Sequence, residues 1–201
     1  FIDRWNEKNN LYYCEHHEAC NPCSEQNLPP YGLCLLGSLN LPAYLSYSVD
    51  AKLKFNKEQY IKDISVFVEA YDNIFDSAIY AIPEHKEEAI SKRRMGLGLT
   101  GIANCLELMC NKANYGEQEF CYILDDMCST LTYETYNKSC DLAKERGPFK
   151  LWDTRYSDSK FIKTLPEKLQ EKIYCNGIRN SHLISYAPCG TISQCAGNVS
   201  S

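Results

Sequence analysis

Leu183-Ile184-Ser185-Tyr186-Ala187-Pro188-Cys189-Gly190-Thr191-Ile192-Ser193 carries the first clue to the class of this chain. Residues 183–187 are short and apolar, as a buried strand is, and Pro-Cys-Gly then turns the backbone toward a helix start. A second short apolar piece, residues 33–41, lies near the other end. Between them run helical patterns. Tyr60, Ile61, Ile64, Phe67, Val68, Tyr71, Ile74, Phe75, Ala78 and Ile79 recur at three- and four-residue steps and draw one apolar stripe, which Pro83 closes. Residues 96–109 read as another helix behind a glycine-rich start. Residues 118–145 read as a third, with Phe120, Ile123, Leu124, Met127 and Leu131 on one face and Gly147-Pro148 as its stop. A short helix is expected near 166–173, a charged link over 84–94, and a strand end running into a polar turn over 1–10. Strands at both ends with helices between predict an α/β fold with an incomplete set of elements.

The chain of 201 residues has room for one domain or a piece of a larger one. Its net charge is −5 with Lys and Arg scattered, which argues against capture of a nucleic-acid backbone. No apolar run reaches the roughly 20 residues that a membrane span needs, and no signal peptide opens the chain. Twelve cysteines in a chain with long helical patterns and no secretory signal point to a reducing, cytoplasmic compartment in which some thiols do chemistry.

Residues 11–41 hold no sustained period and are broken by Pro22, Pro29, Pro30, Gly32 and Gly37. A loop of this length in a compact domain is usually functional or disordered, and this one is too apolar for a solvated linker. It contains Cys14-Glu15-His16-His17-Glu18-Ala19-Cys20-Asn21-Pro22-Cys23-Ser24-Glu25-Gln26. Cys20 and Cys23 form a C-x-x-C, and Cys14 with His16 or His17 could complete a tetrahedral zinc site. A non-enzymatic zinc module is therefore one reading, and unrelated thiols in a loop is another.

The motifs, taken in order, resemble the large, catalytic subunit of ribonucleotide reductase. Asn21-Pro22-Cys23-Ser24-Glu25-Gln26 followed by Leu33-Cys34-Leu35-Leu36-Gly37-Ser38-Leu39-Asn40-Leu41 is similar to that family's finger loop. Arg93-Arg94-Met95-Gly96-Leu97-Gly98-Leu99-Thr100-Gly101 resembles its glycine-rich helix start, and Leu142-Ala143-Lys144-Glu145-Arg146-Gly147-Pro148-Phe149 a helix end. Arg179-Asn180-Ser181-His182 through Ser193 resembles its phosphate-binding segment. The glycines also fit G-x-G-x-x-G, but polar Ser91-Lys92-Arg93-Arg94 stands where a dinucleotide fold needs a hydrophobic strand, so helix packing is their expected use.

The resemblance implies part of a ten-stranded α/β barrel, an incomplete second half with a central finger loop. It places the finger at about 14–34, a helical region at about 55–146 and the phosphate segment at 187–193. By resemblance Cys23 is the thiyl radical that takes the 3′-hydrogen of the ribose, Glu25 the general base on the 3′-hydroxyl, and Asn21 the residue that orients the sugar hydroxyls. N-x-C-x-E suits extended chain, where alternate residues point the same way. Cys34 matches one member of a redox-active pair whose partner lies upstream in the family. Ser24, Ala187, Pro188, Cys189, Gly190, Thr191, Ile192 and Ser193 are the expected substrate contacts. Taken alone, residues 188–193 read as ordinary capping; in this context backbone N–H groups and a helix N-terminus suit phosphates.

Gln26 and Pro22 look more like the adenosylcobalamin-dependent class than the class that draws its radical from a separate metal-bearing subunit. The implied partners are a ribonucleoside di- or triphosphate, an external dithiol reductant such as thioredoxin, the remainder of the catalytic subunit and a homodimer mate. Three positions depart from the pattern: Ser24 where Gly is common, and Cys20 and Cys189 where Thr is usual. Phe1 stands where a translated chain carries Met, so the sequence is expected to be an excerpt or half of a split enzyme.

Overall fold

The computed structural model describes residues 2–49, 53–110 and 115–199. The chain opens with a one-turn helix, α1 (Ile2–Asn6), where a strand end is expected; Asp3 in its first turn and Arg4 in its last both suit the helix dipole. Two short strands follow, β1 (Ala19–Cys20) and β2 (Asn27–Leu28), paired antiparallel with Ala19 opposite Leu28 and Cys20 opposite Asn27. Residues 21–26 are therefore the tip of a hairpin.

The central pairing is parallel. Strand β3 (Leu35–Asn40) lies in register beside a later strand, from Leu35 opposite Met95 to Asn40 opposite Thr100. A parallel pair needs a long crossover, and the chain supplies one. After an antiparallel hairpin of β4 (Leu45–Tyr47) and β5 (Leu53–Phe55), it runs through helices α2 (Lys57–Ser77) and α3 (Pro83–Lys92) and returns as β6 (Met95–Thr100). The Asn56 side chain caps α2 by accepting the Gln59 N–H, and Tyr60, Ile64, Val68, Asp72 and Phe75 form its buried face. Pro83 does not end α2, which stops at Ser77 with Ala78 as its C-cap. It occupies the first turn of α3, where its missing N–H costs nothing, so the expected charged link is itself helical.

The glycine-rich stretch is a strand rather than the start of a helix. All six residues of β6 are buried, and Gly101 at φ +72° ends the strand before α4 (Ile102–Cys110). The reason lies in neighbours distant in sequence. A Cβ at Gly98 would sit 2.5 Å from the Ser185 carbonyl oxygen, and one at Gly96 would sit 2.6 Å from both Leu36 Cδ2 and Ser185 Cβ. The glycines serve close packing against β3 and the 185 segment, not the helix packing expected of them.

The long helix α5 (Gln118–Arg146) packs on α2 and on α6 (Glu167–Asn176). Residues 182–185 then run along the free side of β6. Leu97 donates to the Leu183 carbonyl at 2.8 Å, Ser185 donates to the Leu97 carbonyl at 3.1 Å, and Ile184 makes a parallel bridge with Leu97. The expected buried strand is thus a single bridge with ladder-type bonds on each side. A short helix, α7 (Gly190–Cys195), follows. The fold is mixed α/β with parallel pairing at its centre, and no closed barrel is present among the described residues.

Buried Asp72 on α2 ties these layers together. It accepts from Arg93 at 2.7 Å, Arg179 at 3.2 Å and Arg146 at 3.3 Å, and from the Asn180 amide. Its partners come from the end of α3, the segment after α6 and the end of α5. No helix among the described residues is long and apolar enough to cross a membrane.

Candidate active site

The hairpin tip is built by its own residues. Asn21 donates its N–H to the Gln26 carbonyl at 3.1 Å, and Ser24 donates its N–H to the Asn21 carbonyl at 3.0 Å. The Asn21 side-chain oxygen accepts the Gln26 N–H at 3.1 Å. Ser24 adopts φ +64°, a left-handed conformation that favours glycine, and its hydroxyl lies 3.5 Å from Cys20 Sγ. Cys23 and Cys20 are both exposed. The tip is fastened at its far side, where Ser185 Oγ donates to the Glu25 carbonyl at 3.1 Å.

Glu25 turns inward. Its Oε2 is buried with no hydrogen-bond partner, and the side chain lines a cavity of about 470 Å³ shared with Lys8, His17, Arg94, His182 and Tyr186. Cys34 is partly buried at the entrance to β3. Burial pushes its thiol up to about 12, the Arg94 charge opposes this, and the Glu25 charge adds to it. Cys34 therefore feels both Glu25 and Arg94.

In the 187–193 segment, Cys189 is buried and aims into the fold: its sulfur lies 2.9 Å from Ser38 Oγ and 3.2 Å from the Ala187 carbonyl oxygen. Ser193 is also buried, and its hydroxyl donates to the Gly190 carbonyl at 2.7 Å. Gly190, Thr191 and Ile192 are exposed at the start of α7. Residues 36–38 and 187–192 line a second cavity of about 250 Å³. Glu25 borders the larger cavity and the 187–193 turn the smaller; Ser185 and Tyr186 lead along the chain into that turn.

Sequence reasoning overlooked the charged cluster at the base of the hairpin. The Glu15 side chain is fully buried and meets Arg94 and Lys92 at 2.7 Å each and His17 Nε2 at 2.9 Å. Burial alone would raise its carboxyl; the His17 bond and the charges of Arg94 and Lys92 win and hold it well below the usual range. His182 accepts from Arg94 through Nδ1 at 3.1 Å, and burial and then the Arg94 charge keep it neutral. Its Nε2 stands 3.3 Å from Asn9 Oδ1.

The thiols of the zinc reading do not gather. Among the described residues the group with metal-ligand spacing is Glu15, His17 and His182, with no cysteine in it. Two cations already hold that carboxylate, so a divalent ion there would meet Arg94 and Lys92. No disulfide is present among the described residues.

The chain has relatives among known proteins. A family model described as ribonucleotide reductase, barrel domain, matches residues 1–201. The vitamin B12-dependent ribonucleoside-diphosphate reductase of Thermoplasma acidophilum is 31% identical over 201 residues, covering 100% of this chain and 24% of that protein. The protein of the same name from Mycobacterium tuberculosis (strain CDC 1551 / Oshkosh) is 30% identical over 199 residues, covering 99% of this chain and 26% of its own length. The ribonucleoside-diphosphate reductase subunit alpha of Chlamydia pneumoniae is 28% identical over 198 residues, 87% of this chain and 18% of that protein. The chain spans about a quarter of the length of the first two relatives.

Proposed function

Because the chain belongs to the ribonucleotide reductase barrel-domain family, we propose that it forms part of a catalytic core that reduces ribonucleotides to 2′-deoxyribonucleotides by thiyl-radical chemistry. One observation carries this reading. A hairpin tip bearing Asn21, Cys23 and Glu25 is bonded through Ser185 to the segment that leads into the 187–193 turn.

The residues divide the work. Cys23, as a thiyl radical, takes the 3′-hydrogen and becomes a thiol, leaving the radical on C3′. Glu25 accepts the 3′-hydroxyl proton, and its buried, unpartnered oxygen is an acceptor held ready for it. Asn21 has its oxygen engaged with Gln26, so its amide N–H groups are the donors left for a sugar hydroxyl. One thiol of the Cys34 pair gives its proton to the 2′-hydroxyl, which departs as water, and the other gives a hydrogen atom to C2′. As the pair closes to a disulfide, its remaining electron reduces the 3′-carbonyl while Glu25 returns its proton to that oxygen, and Cys23 then returns its hydrogen to C3′, regenerating the thiyl. An external dithiol of the thioredoxin kind reopens the disulfide. Backbone N–H groups at Thr191 and Ile192 receive the phosphates of a ribonucleoside di- or triphosphate. Cys189 serves this turn through its backbone, since its sulfur faces Ser38.

Adenosylcobalamin fits the exposed position of Cys23, which leaves the sulfur open to a group as large as a corrinoid; when bound, it supplies the radical that activates this thiol. The two relatives named as vitamin B12-dependent support this class. The reading also calls for the remaining strands of a ten-stranded barrel and for a homodimer mate.

The test is ribonucleotide reduction by the reductase with its whole barrel, with dithiol, with and without adenosylcobalamin, using Cys23→Ser as control. Turnover that needs the cofactor and vanishes in the variant supports the proposal. Turnover only with a metal-bearing second subunit changes the radical source and keeps the three residue roles. No turnover under either condition refutes it.

A further inference from the structure

Arg94 lies where three functional segments cross. Its Nη2 donates to both oxygens of Glu15 at 2.8 and 2.7 Å, and Glu15 stands at the base of the hairpin. Its Nη1 donates to His182 Nδ1 at 3.1 Å, and His182 begins the stretch that runs along β6 to the phosphate turn. Its carbonyl accepts the N–H of Leu35, the residue after Cys34, at 3.3 Å.

The neighbouring arginine offers a contrast. Arg93 joins Asp72 and Asp76 on α2, contacts that hold helix to helix. Arg94 instead reaches the segments that carry Cys23 with Glu25, Cys34, and residues 187–193. It is only 2% exposed, and its Nε is buried without a hydrogen-bond partner. The unpartnered Glu25 Oε2 borders the same cavity of about 470 Å³. An unmet donor and an unmet acceptor on one cavity wall mark a place for a bridging water or a substrate hydroxyl.

We propose that Arg94 is a positioning residue: its guanidinium ties the base of the finger loop, at Glu15, to the stretch from His182 into the 187–193 turn, while its main-chain carbonyl holds the start of the Cys34 strand. A buried ion pair earns little net stability, and its best-attested use is to fix register. Lysine cannot replace it, because a single ammonium lacks the planar fork that spans Glu15 and His182 together. This inference rests on the reductase reading.

The experiment compares wild type, Arg94→Lys, Glu15→Gln and the double variant in the complete reductase, with activity corrected for the folded fraction. Loss of register separates Glu25 and Cys23 from a substrate still held by its phosphates. Arg94→Lys is therefore expected to lower kcat by about 100-fold while KM moves within about threefold. Glu15→Gln reproduces part of the loss, and the double variant is no worse than Arg94→Lys alone, because both changes cut one linkage. Should Arg94→Lys fail to fold, His182→Gln cuts a single limb and is read in the same way. Additive losses, or kcat unchanged per folded molecule, overturn the inference while the Cys23→Ser control upholds the reading beneath it. Absence of wild-type turnover overturns both.

Discussion

Ser185 Oγ donates to the main-chain carbonyl of Glu25 at 3.1 Å, and this bond spans 160 residues of sequence. It joins the hairpin tip to the strand-like segment beside β6, two residues before the 187–193 turn begins. Ser185 is buried, so the bond is shielded from water. Its removal leaves the Glu25 carbonyl to find another donor.

Ser185→Ala is therefore expected to cost about 1 kcal/mol of stability, the usual worth of such a bond. Turnover should fall by more than the folded fraction does, because the tip that carries Cys23 loses its fastening. Denaturant midpoints beside kcat decide the matter. Equal proportional losses would make the bond a structural one only.

Ser24 offers a sharper test of the tip. At φ +64° it occupies backbone space that a β-branched residue resists. Ser24→Gly should fold and turn over close to wild type. Ser24→Val should lose about 1–2 kcal/mol and most activity, since the chain must leave the left-handed region. A fully active valine variant would show that the turn is not needed.

Why some of this was legible and some was not follows from the range of each interaction. The stripe from Tyr60 to Phe75 is local, so α2 could be read from spacing, and the end of α5 is marked by Gly147. Asn21 to Gln26 form a turn from bonds among themselves, so the site's key residues stand together in sequence. Gly96 to Gly101 misled because glycine alternating with leucine is compatible with a helix start. What makes it a strand is the Ser185 carbonyl, 2.5 Å from where a Gly98 Cβ would stand. Pro83 misled for a different reason: the helix before it stops at Ser77, and the proline begins the next one. The Glu15, Arg94 and His182 cluster left no local mark, since its members are 79 and 88 residues apart.

Cys34 should be slow to alkylate. With its thiol pushed up to about 12, on the order of one molecule in ten thousand is thiolate at pH 8. Exposed Cys23 should label at least about 100-fold faster in the same sample. Site-resolved mass spectrometry after iodoacetamide gives both rates. Arg94→Gln should slow Cys34 further, because the arginine's charge favours the thiolate. Faster labelling in that variant would mean that the substitution exposed the thiol rather than changed its field.

Acid should weaken the fold in two stages, both with the same sign. His182 is held neutral, below its ordinary value of about 6.5, by burial and by Arg94, with His17 and Lys92 adding to this and Glu15 opposing. The unfolded chain then takes up its proton first as pH falls. Stability from this residue is complete above about pH 6.5 and declines below it, by about 1.4 kcal/mol per pH unit. Glu15 has a lowered carboxyl, so its contribution is present above its ordinary value of about 4.3 and is lost as pH falls further. Urea midpoints at pH 8, 7, 6 and 5 should be level at first and then drop. In His182→Gln the drop between pH 7 and 5 should shrink, while the loss below about pH 4.3 remains. A midpoint that rises as the solution is acidified from pH 7 to 5 would mean that His182 is protonated in the fold, and that Arg94 does not donate to it.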